Sequence, residues 1–338
     1  MLRAGDDVAL EGDVLIFLHR SSAKAVRLMG GIQLDMSRVA GTDLFVLQLE
    51  MKGWFRALDT FRFDEDGKYG ATKVWSGPLA MALHPQADEL KGRIVERSIY
   101  SKFLGENRKY MVYIPPGTAA GPLPVVFKAD GEDCRTYARV LETMILAHRV
   151  RPCAIVGLFQ GGYKGEPDGP YDVAKDNRIR EYQPDTPDPD RFRRHLAFVT
   201  REVGPSVIRE FGFSGRREDH AVMGFSAGGS FAAGAAFMAS DFFGAAMPFS
   251  LYVLPLGRPP SNLPRMFFAA GTLEPFNVST RGLYDEVNVG SNECRLSIYP
   301  AGHDRTMWLE AFADYMPRVF PVSNFPWQQR VKEGRQFR

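Results

Sequence analysis

The run His220-Ala221-Val222-Met223-Gly224-Phe225-Ser226-Ala227-Gly228-Gly229-Ser230 decides how the rest of the chain is read. An apolar strand, Ala221 to Met223, leads into Gly-x-Ser-x-Gly and then into a small-residue helical stretch, Phe231 to Ala239. In that strand–turn–helix setting the motif reads as a nucleophile elbow, a tight turn that leaves the Ser226 hydroxyl exposed at its tip. Gly224 and Gly228 lack a Cβ, so strand and helix can approach on either side of the serine. A glycine-rich turn with a helix-capping serine has the same letters. The flanking strand and helix give the motif its weight.

Outward from the elbow, strand-like and helical runs alternate from Arg93 onward. Val95 to Tyr100 and Lys109 to Ile114 read as paired strands, and Pro124 to Ala129, Cys153 to Leu158, Met266 to Ala270 and Arg295 to Tyr299 as further strands. Tyr137 to Ala147, Phe192 to Phe211, Ser279 to Val287 and Met307 to Tyr315 carry helical patterning. Such alternation predicts an α/β class with a mostly parallel sheet covered on both faces. Gly161 to Arg191, rich in Gly, Pro, Asp and Tyr, has no period and reads as a lid-like binding loop or a solvated excursion. Before residue 90, Val14 to Leu18, Ala25 to Met29, Leu44 to Met51 and the alternating Trp54 to Phe63 are short strand-like runs without a convincing helix. They predict a small β-sandwich. With Ala80 to Leu90 as a linker, the expectation is two domains, 1–90 and 91–338.

The charged fraction of 24% and a formal net charge of +2 give no field that would hold nucleic acid or an acidic membrane. Cys134, Cys153 and Cys294 are scattered and odd in number, which argues against a disulfide framework or a zinc site and for free thiols in a reducing compartment. The start, Met1 to Asp7, has acids where a signal peptide needs an apolar core, and no apolar run is long enough to cross a bilayer. A cytoplasmic location is expected.

A serine hydroxyl needs a base, and the base needs a third group to fix its tautomer. Of six histidines, His303 in Tyr299-Pro300-Ala301-Gly302-His303-Asp304 follows a strand end, where groups that act on ligands gather in open α/β sheets. For the acid, the chain order Ser…Asp/Glu…His points to Glu274, in the Gly271-Thr272-Leu273-Glu274-Pro275 turn directly after a strand. Asp285, mid-helix, is the second choice, and Asp304 is too close to His303 for easy geometry. An oxyanion hole would draw one N–H from Ala227 and a second from the loop Asp130-Gly131-Glu132-Asp133, with Gly131 and Glu132 equally eligible.

With those residues in place, the chain resembles the esterase D-type branch of the α/β-hydrolases, most closely the enterochelin (ferric siderophore) esterases. The matching pieces are Lys109 to Pro116, the strand ending in Asp130-Gly131, Arg178-Ile179-Arg180-Glu181-Tyr182-Gln183-Pro184, the elbow, and Gly302-His303-Asp304. More loosely, Ala25 to Leu28 followed by Gly41 to Leu44 is similar to the immunoglobulin-like domain that precedes the esterase domain in these enzymes. The resemblance implies Ser226 as nucleophile, His303 as base and Glu274 as acid. Two departures bear on substrate choice: Ala301 stands where the family often has Gly, and Arg305 where it often has Trp, with Trp308 three positions on.

The expected chemistry is hydrolysis of a small-molecule carboxylic ester, of siderophore or aryl type, through an acyl-serine intermediate and with no metal or organic cofactor. Asp130, Tyr163, Arg178, Arg180, Tyr182, Phe225 and Trp308 form the expected substrate-facing set. Arg178 and Arg180 either face an anionic substrate or brace the 161–191 loop through an internal ion pair, the reading we favour, and the tyrosines either stack on an aromatic group or pack the loop onto the sheet. Acyl transfer, a feruloyl- or acetyl-polysaccharide esterase and a non-catalytic binding protein are the rival readings. The front domain is expected to shape the cleft, cover it or mediate a homodimer.

Overall fold

The computed structural model describes residues 7–117, 121–166, 171–185, 188–254, 257–289 and 293–322. Most of the acidic start read against a signal peptide, and residues 167–170 and 186–187 of the lid-like stretch, lie outside the described residues.

Ahead of residue 77 the chain is built from short strands. They are β1 (Val8–Glu11), β2 (Val14–Arg20), β3 (Val26–Gly30), β4 (Leu34–Asp35), β5 (Ser37–Arg38), β6 (Leu44–Glu50), β7 (Leu58–Glu65), β8 (Lys68–Tyr69) and β9 (Lys73–Ser76). β1-β2-β6-β5 form one sheet; β4-β3-β7-β8, with β9 on β7, form a second. Alternation along β2, β3 and β7 sends Leu15, Phe17, Val26, Leu28, Phe61 and Phe63 into one core with Phe45 and Trp54. The result is a small β-sandwich, as its alternating pattern predicts. Trp54 to Arg56 is a turn of 3-10 helix rather than strand, entered through Gly53 at φ 98°.

By contact, the chain divides into two compact units. One comprises the chain up to Leu83 with 269–278 and 297–310; the other comprises the remainder. The first therefore contains, besides the sandwich, two short segments from late in the sequence.

Most of an eight-stranded mixed sheet falls in the second unit, and the last residues of its final two strands in the chain are counted with the first. Its strands are β10 (Arg93–Ser101), β11 (Glu106–Ile114), β12 (Val125–Ala129), β13 (Ala154–Leu158), β14 (His220–Phe225), β15 (Ala245–Phe249), β16 (Arg265–Gly271) and β17 (Cys294–Tyr299). They lie in the order β10-β11-β13-β12-β14-β15-β16-β17. β10, β11 and β13 pair antiparallel; β13, β12, β14 and β15 pair parallel. Every residue of β12 to β15 is buried, which is why β12, β13 and β14 read as largely apolar rather than alternating runs.

The helices are α1 (Cys134–Leu146), α2 (Asn177–Tyr182), α3 (Pro189–Ala197), α4 (Gly204–Phe211), α5 (Ala227–Met238), α6 (Asn277–Val287) and α7 (Arg305–Val319). The single helix expected over 192–211 is instead α3 and α4 joined by a π-helical turn, Phe198–Val203. Pro205 lacks the N–H that regular helix bonding requires there, and the turn absorbs the mismatch. Nearly the whole of α5 is buried, since its Ala and Gly residues let it lie close on β14 and β15.

Candidate active site

Three neighbouring parallel strands end in a left-handed, non-glycine residue. Asp130 follows β12 at φ 53°, Ser226 follows β14 at φ 55°, and Ser250 follows β15 at φ 45°. Such conformations cost about 1–3 kcal/mol each and cluster where function over-determines the backbone. Ser226, at ψ −125°, is pinned by its N–H donating to Phe249 O (3.0 Å) and by its carbonyl accepting from Ser230 N (3.1 Å). A Cβ on Gly224 would stand 2.1 Å from Gly228 O, so the elbow closes only over glycine. The serine stays partly exposed amid buried neighbours. Ala227, whose N–H is an expected oxyanion donor, opens α5.

The Asp130 loop is held from several directions. Tyr182 OH accepts from Asp130 N (3.0 Å), and Arg178 grips the carboxylate in a fork, Nε to Oδ1 at 2.7 Å and Nη2 to Oδ2 at 2.9 Å. Lys128, wholly buried in β12, donates from Nζ to Ala129 O (2.8 Å) and Asp130 O (2.7 Å) and sits over the rings of Tyr137 and Phe225. Burial lowers its pKa from the ordinary lysine value. Gly131 packs so tightly on β13 that a Cβ would come within 2.6 Å of the Gly157 backbone, while the Glu132 side chain is exposed.

Several expected substrate contacts have structural jobs instead. Tyr182 is fully buried and offers no ring face to a ligand; its hydroxyl also donates to Leu158 O (3.4 Å). Phe225 is buried beneath Lys128. Arg180 bonds Asn177 Oδ1 (3.1 Å) and Asp188 (2.5 Å). The ion pair of Arg178 is to Asp130, while Glu181, fully buried, accepts from Arg108, from Arg191 and from Gly161 N (3.0 Å). Those two arginines hold its carboxyl below the usual glutamate range against the opposing push of burial. Beside it His195 is fully buried, with neither ring nitrogen in a hydrogen bond among the described residues, and burial pushes its pKa down to about 4. Tyr163 is more exposed, stacked on Tyr171 with centroids 5.5 Å apart.

In the other unit, the turn after β16 brings Glu274 to His303. Glu274 Oε1 accepts from Gly271 N (2.7 Å), and Oε2 accepts from His303 Nδ1. A carboxylate only accepts, so Nδ1 carries the proton and Nε2 is left as a base. The acid is buried and the imidazole partly exposed. Phe276 and Trp308 flank the ring at 4.6 Å and 4.8 Å between centroids. Asp285, the second choice of acid, is exposed on α6, and Asp304 caps the first turn of α7 through Thr306 N (2.7 Å) and Met307 N (3.2 Å). The thiols are poor alternatives: Cys134 is pushed up to about 11 and Cys294 to about 12, both chiefly by burial. Sequence reading missed Lys128 and Phe276; a lysine inside the apolar run Val125-Val126-Phe127-Lys128-Ala129 was the available signal.

Comparison with known proteins gives the family and the fold. The family model named Esterase, described as "Putative esterase", matches residues 101–329, more than half of the chain. Enterochelin esterase from Shigella flexneri is similar over 97% of this chain and 97% of its own, with 17% identity and a TM-score of 0.70. Ferric enterobactin esterase from Salmonella typhimurium is similar over 92% of this chain and 96% of its own, at 15% identity and TM-score 0.69. A ferulic acid esterase is similar over 69% of this chain and 99% of its own, at 17% identity and TM-score 0.54. No curated protein matches the chain. The chain belongs to the Esterase family and is a carboxylic ester hydrolase.

Proposed function

We propose that the enzyme is a serine esterase of α/β-hydrolase type. Ser226 Oγ attacks the ester carbonyl while His303 Nε2 takes its proton. N–H groups of Ala227 and of the 131–132 turn receive the developing oxyanion, where a well-aimed donor is worth about 2.7–4 kcal/mol. The proton passes from His303 to the departing alcohol. Water, deprotonated by the same nitrogen, then releases the acid from acyl-Ser226. Glu274 keeps the imidazole in the productive tautomer and stabilises its cation.

The observation that carries this reading is the strained Ser226, a non-glycine residue at φ 55° and ψ −125° between a buried strand and a buried helix. The substrate class we favour is an aryl ester of siderophore type. The likeness to enterobactin esterases runs through the front sandwich as well as the large sheet, whereas that to ferulic acid esterase covers 69% of this chain. An immunoglobulin-like front domain over 1–90 and a catalytic domain over 91–338, working in the cytoplasm, belong to the same proposal. The test is a hydrolysis panel of simple aryl, feruloyl, short acyl and catecholate-serine lactone esters on wild type and Ser226→Ala. Catecholate esters should be cleaved fastest, and the variant should lose all but a residual rate. Undiminished turnover in Ser226→Ala would refute the mechanism.

A further inference from the structure

The turn that carries His303 is fastened to the N-terminal strands. Leu58 N donates to Pro300 O (2.9 Å), Leu58 and Ala301 form a parallel bridge, and His303 N donates to Gly31 O (3.3 Å). The seam is tight. A Cβ on Gly302 would lie 2.5 Å from Gly31 Cα and 2.5 Å from Asp59 Oδ1, and a Cβ on Gly31 would lie 1.8 Å from that same oxygen. Asp59, on β7, is thus wedged where the two glycines meet.

Asp59 is 1% exposed, and among the described residues neither of its oxygens has a partner of hydrogen-bond geometry. Asp304, one residue beyond His303, is 4% exposed; Oδ1 caps α7, while Oδ2 has no such partner. On β7 and α7 themselves the charged groups are Arg62, Asp64, Glu65, Arg305, Glu310, Asp314 and Arg318, and other segments of the chain add Arg56, Lys73, Glu274 and His303; among the described residues none donates to either Asp59 oxygen or to Asp304 Oδ2. Two buried carboxyls without a cation cannot both ionise. Holding one proton between them turns their unpartnered oxygens into a donor and an acceptor. Burial first, and then the proximity of Asp304, push Asp59 up to about 8; Asp304 is raised too, chiefly by burial.

We propose that Asp59 and Asp304 are a proton-sharing carboxyl pair that positions His303 by locking its turn to the front sandwich. The proposal rests on His303 being the base. Asp59 and Asp304 are positioning residues and touch no reacting atom. As the pH rises through the ionisation of the pair, the shared proton leaves, two carboxylates repel, and the seam holding His303 loosens. A base displaced by about 1 Å costs about 10²-fold in rate.

The test begins with pH–rate profiles of wild type, Asp59→Asn and Asp59→Ala. Wild type should lose kcat above about pH 8 with KM little changed. Asp59→Asn, whose amide is a permanent donor to Asp304, should keep its kcat there. Asp59→Ala should lose roughly tenfold or more at every pH. An alkaline limb in Asp59→Asn that matches wild type, or an Asp59→Ala variant with wild-type kcat, would overturn the proposal. A second measurement needs no catalysis and survives failure of Asp59→Ala to fold. In the Ser226→Ala background at pH 7, infrared difference spectra should contain a protonated-carboxyl band that Asp59→Asn abolishes. Its absence also overturns the pair, whereas turnover persisting in Ser226→Ala indicts the mechanism and leaves the pair standing.

Discussion

Glu274→Gln keeps the shape of the side chain and removes only its charge and one acceptor, which makes the change severe. In the native site both oxygens accept, Oε1 from Gly271 N at 2.7 Å and Oε2 from His303 Nδ1. An amide must choose. With its oxygen on His303, its NH2 meets the Gly271 N–H in a site only 3% exposed, and two facing buried donors cost about 1–3 kcal/mol. With the amide reversed, Gly271 is satisfied and His303 must take the other tautomer, with the proton on Nε2 and no base left for Ser226. Imidazole tautomers differ little in energy, so the reversed setting wins, and a wrong-tautomer imidazole costs about 10⁴ in kcat. Even the unreversed setting exchanges a charge-assisted bond for a neutral one of about half the strength. The expected outcome is a fall in kcat of about 10³ to 10⁴ with KM little changed, read from steady-state hydrolysis of an aryl ester together with the labelling rate of Ser226 by a fluorophosphonate. A variant within tenfold of wild type in both assays would show that this carboxylate does not set the tautomer.

Gly224→Ala would put a Cβ 2.1 Å from the Gly228 carbonyl, which as backbone cannot swing away, so the variant should lose about 1–3 kcal/mol or more in chemical denaturation, while Gly215→Ala, with open space around it, should be tolerated. A melting temperature for Gly224→Ala equal to wild type would show that the elbow is looser than described. His195 should make the protein acid-sensitive: its folded pKa lies near 4, below the unfolded value of 6.5, so the unfolded state takes up the proton first and stability present above about pH 6.5 is lost as pH falls toward 4. The size is about 3 kcal/mol, and urea unfolding of His195→Phe should lack that part of the slope between pH 7 and about pH 4; an unchanged slope would assign the acid loss elsewhere.

What could be read from letters alone followed from where each signal is local. β12, β13 and β14 declare themselves because strands covered on both faces need largely apolar runs; Ser226 and Glu274 each sit in a short turn just past a buried strand, and His303 past the half-buried β17. β15 gave no sign, because Ala245-Ala246-Met247-Pro248-Phe249 has no β-branched residue and contains a proline; tertiary packing makes it a strand against its own propensity. The helix α2 hid in a polar, aperiodic segment: Asp176 caps it by accepting from Arg178 N (2.9 Å), and burial of Glu181 and Tyr182 holds it down. The start of α3 was masked by Pro189 and Asp190, although Asp188 accepts from Arg191 N (3.1 Å) in the manner of a helix cap. Asp59 was out of reach, since a lone acid in an aromatic-polar strand says nothing about a partner at the far end of the chain. The grouping of 269–278 and 297–310 with the first 83 residues was hidden for the same reason.

The left-handed residues that end β12, β14 and β15 have a consequence for any population of variants sorted by robustness alone. At Ser226 glycine would relax the backbone by about 1–3 kcal/mol, only partly offset by the roughly 0.5–1 kcal/mol that its looser unfolded chain costs. Heat-challenged libraries scored without substrate should therefore accumulate glycine at 226, drifting toward hardier and inert proteins, whereas Asp130 is kept by its fork with Arg178. A glycine at 226 in a sister sequence would then mark a lineage released from its chemical duty.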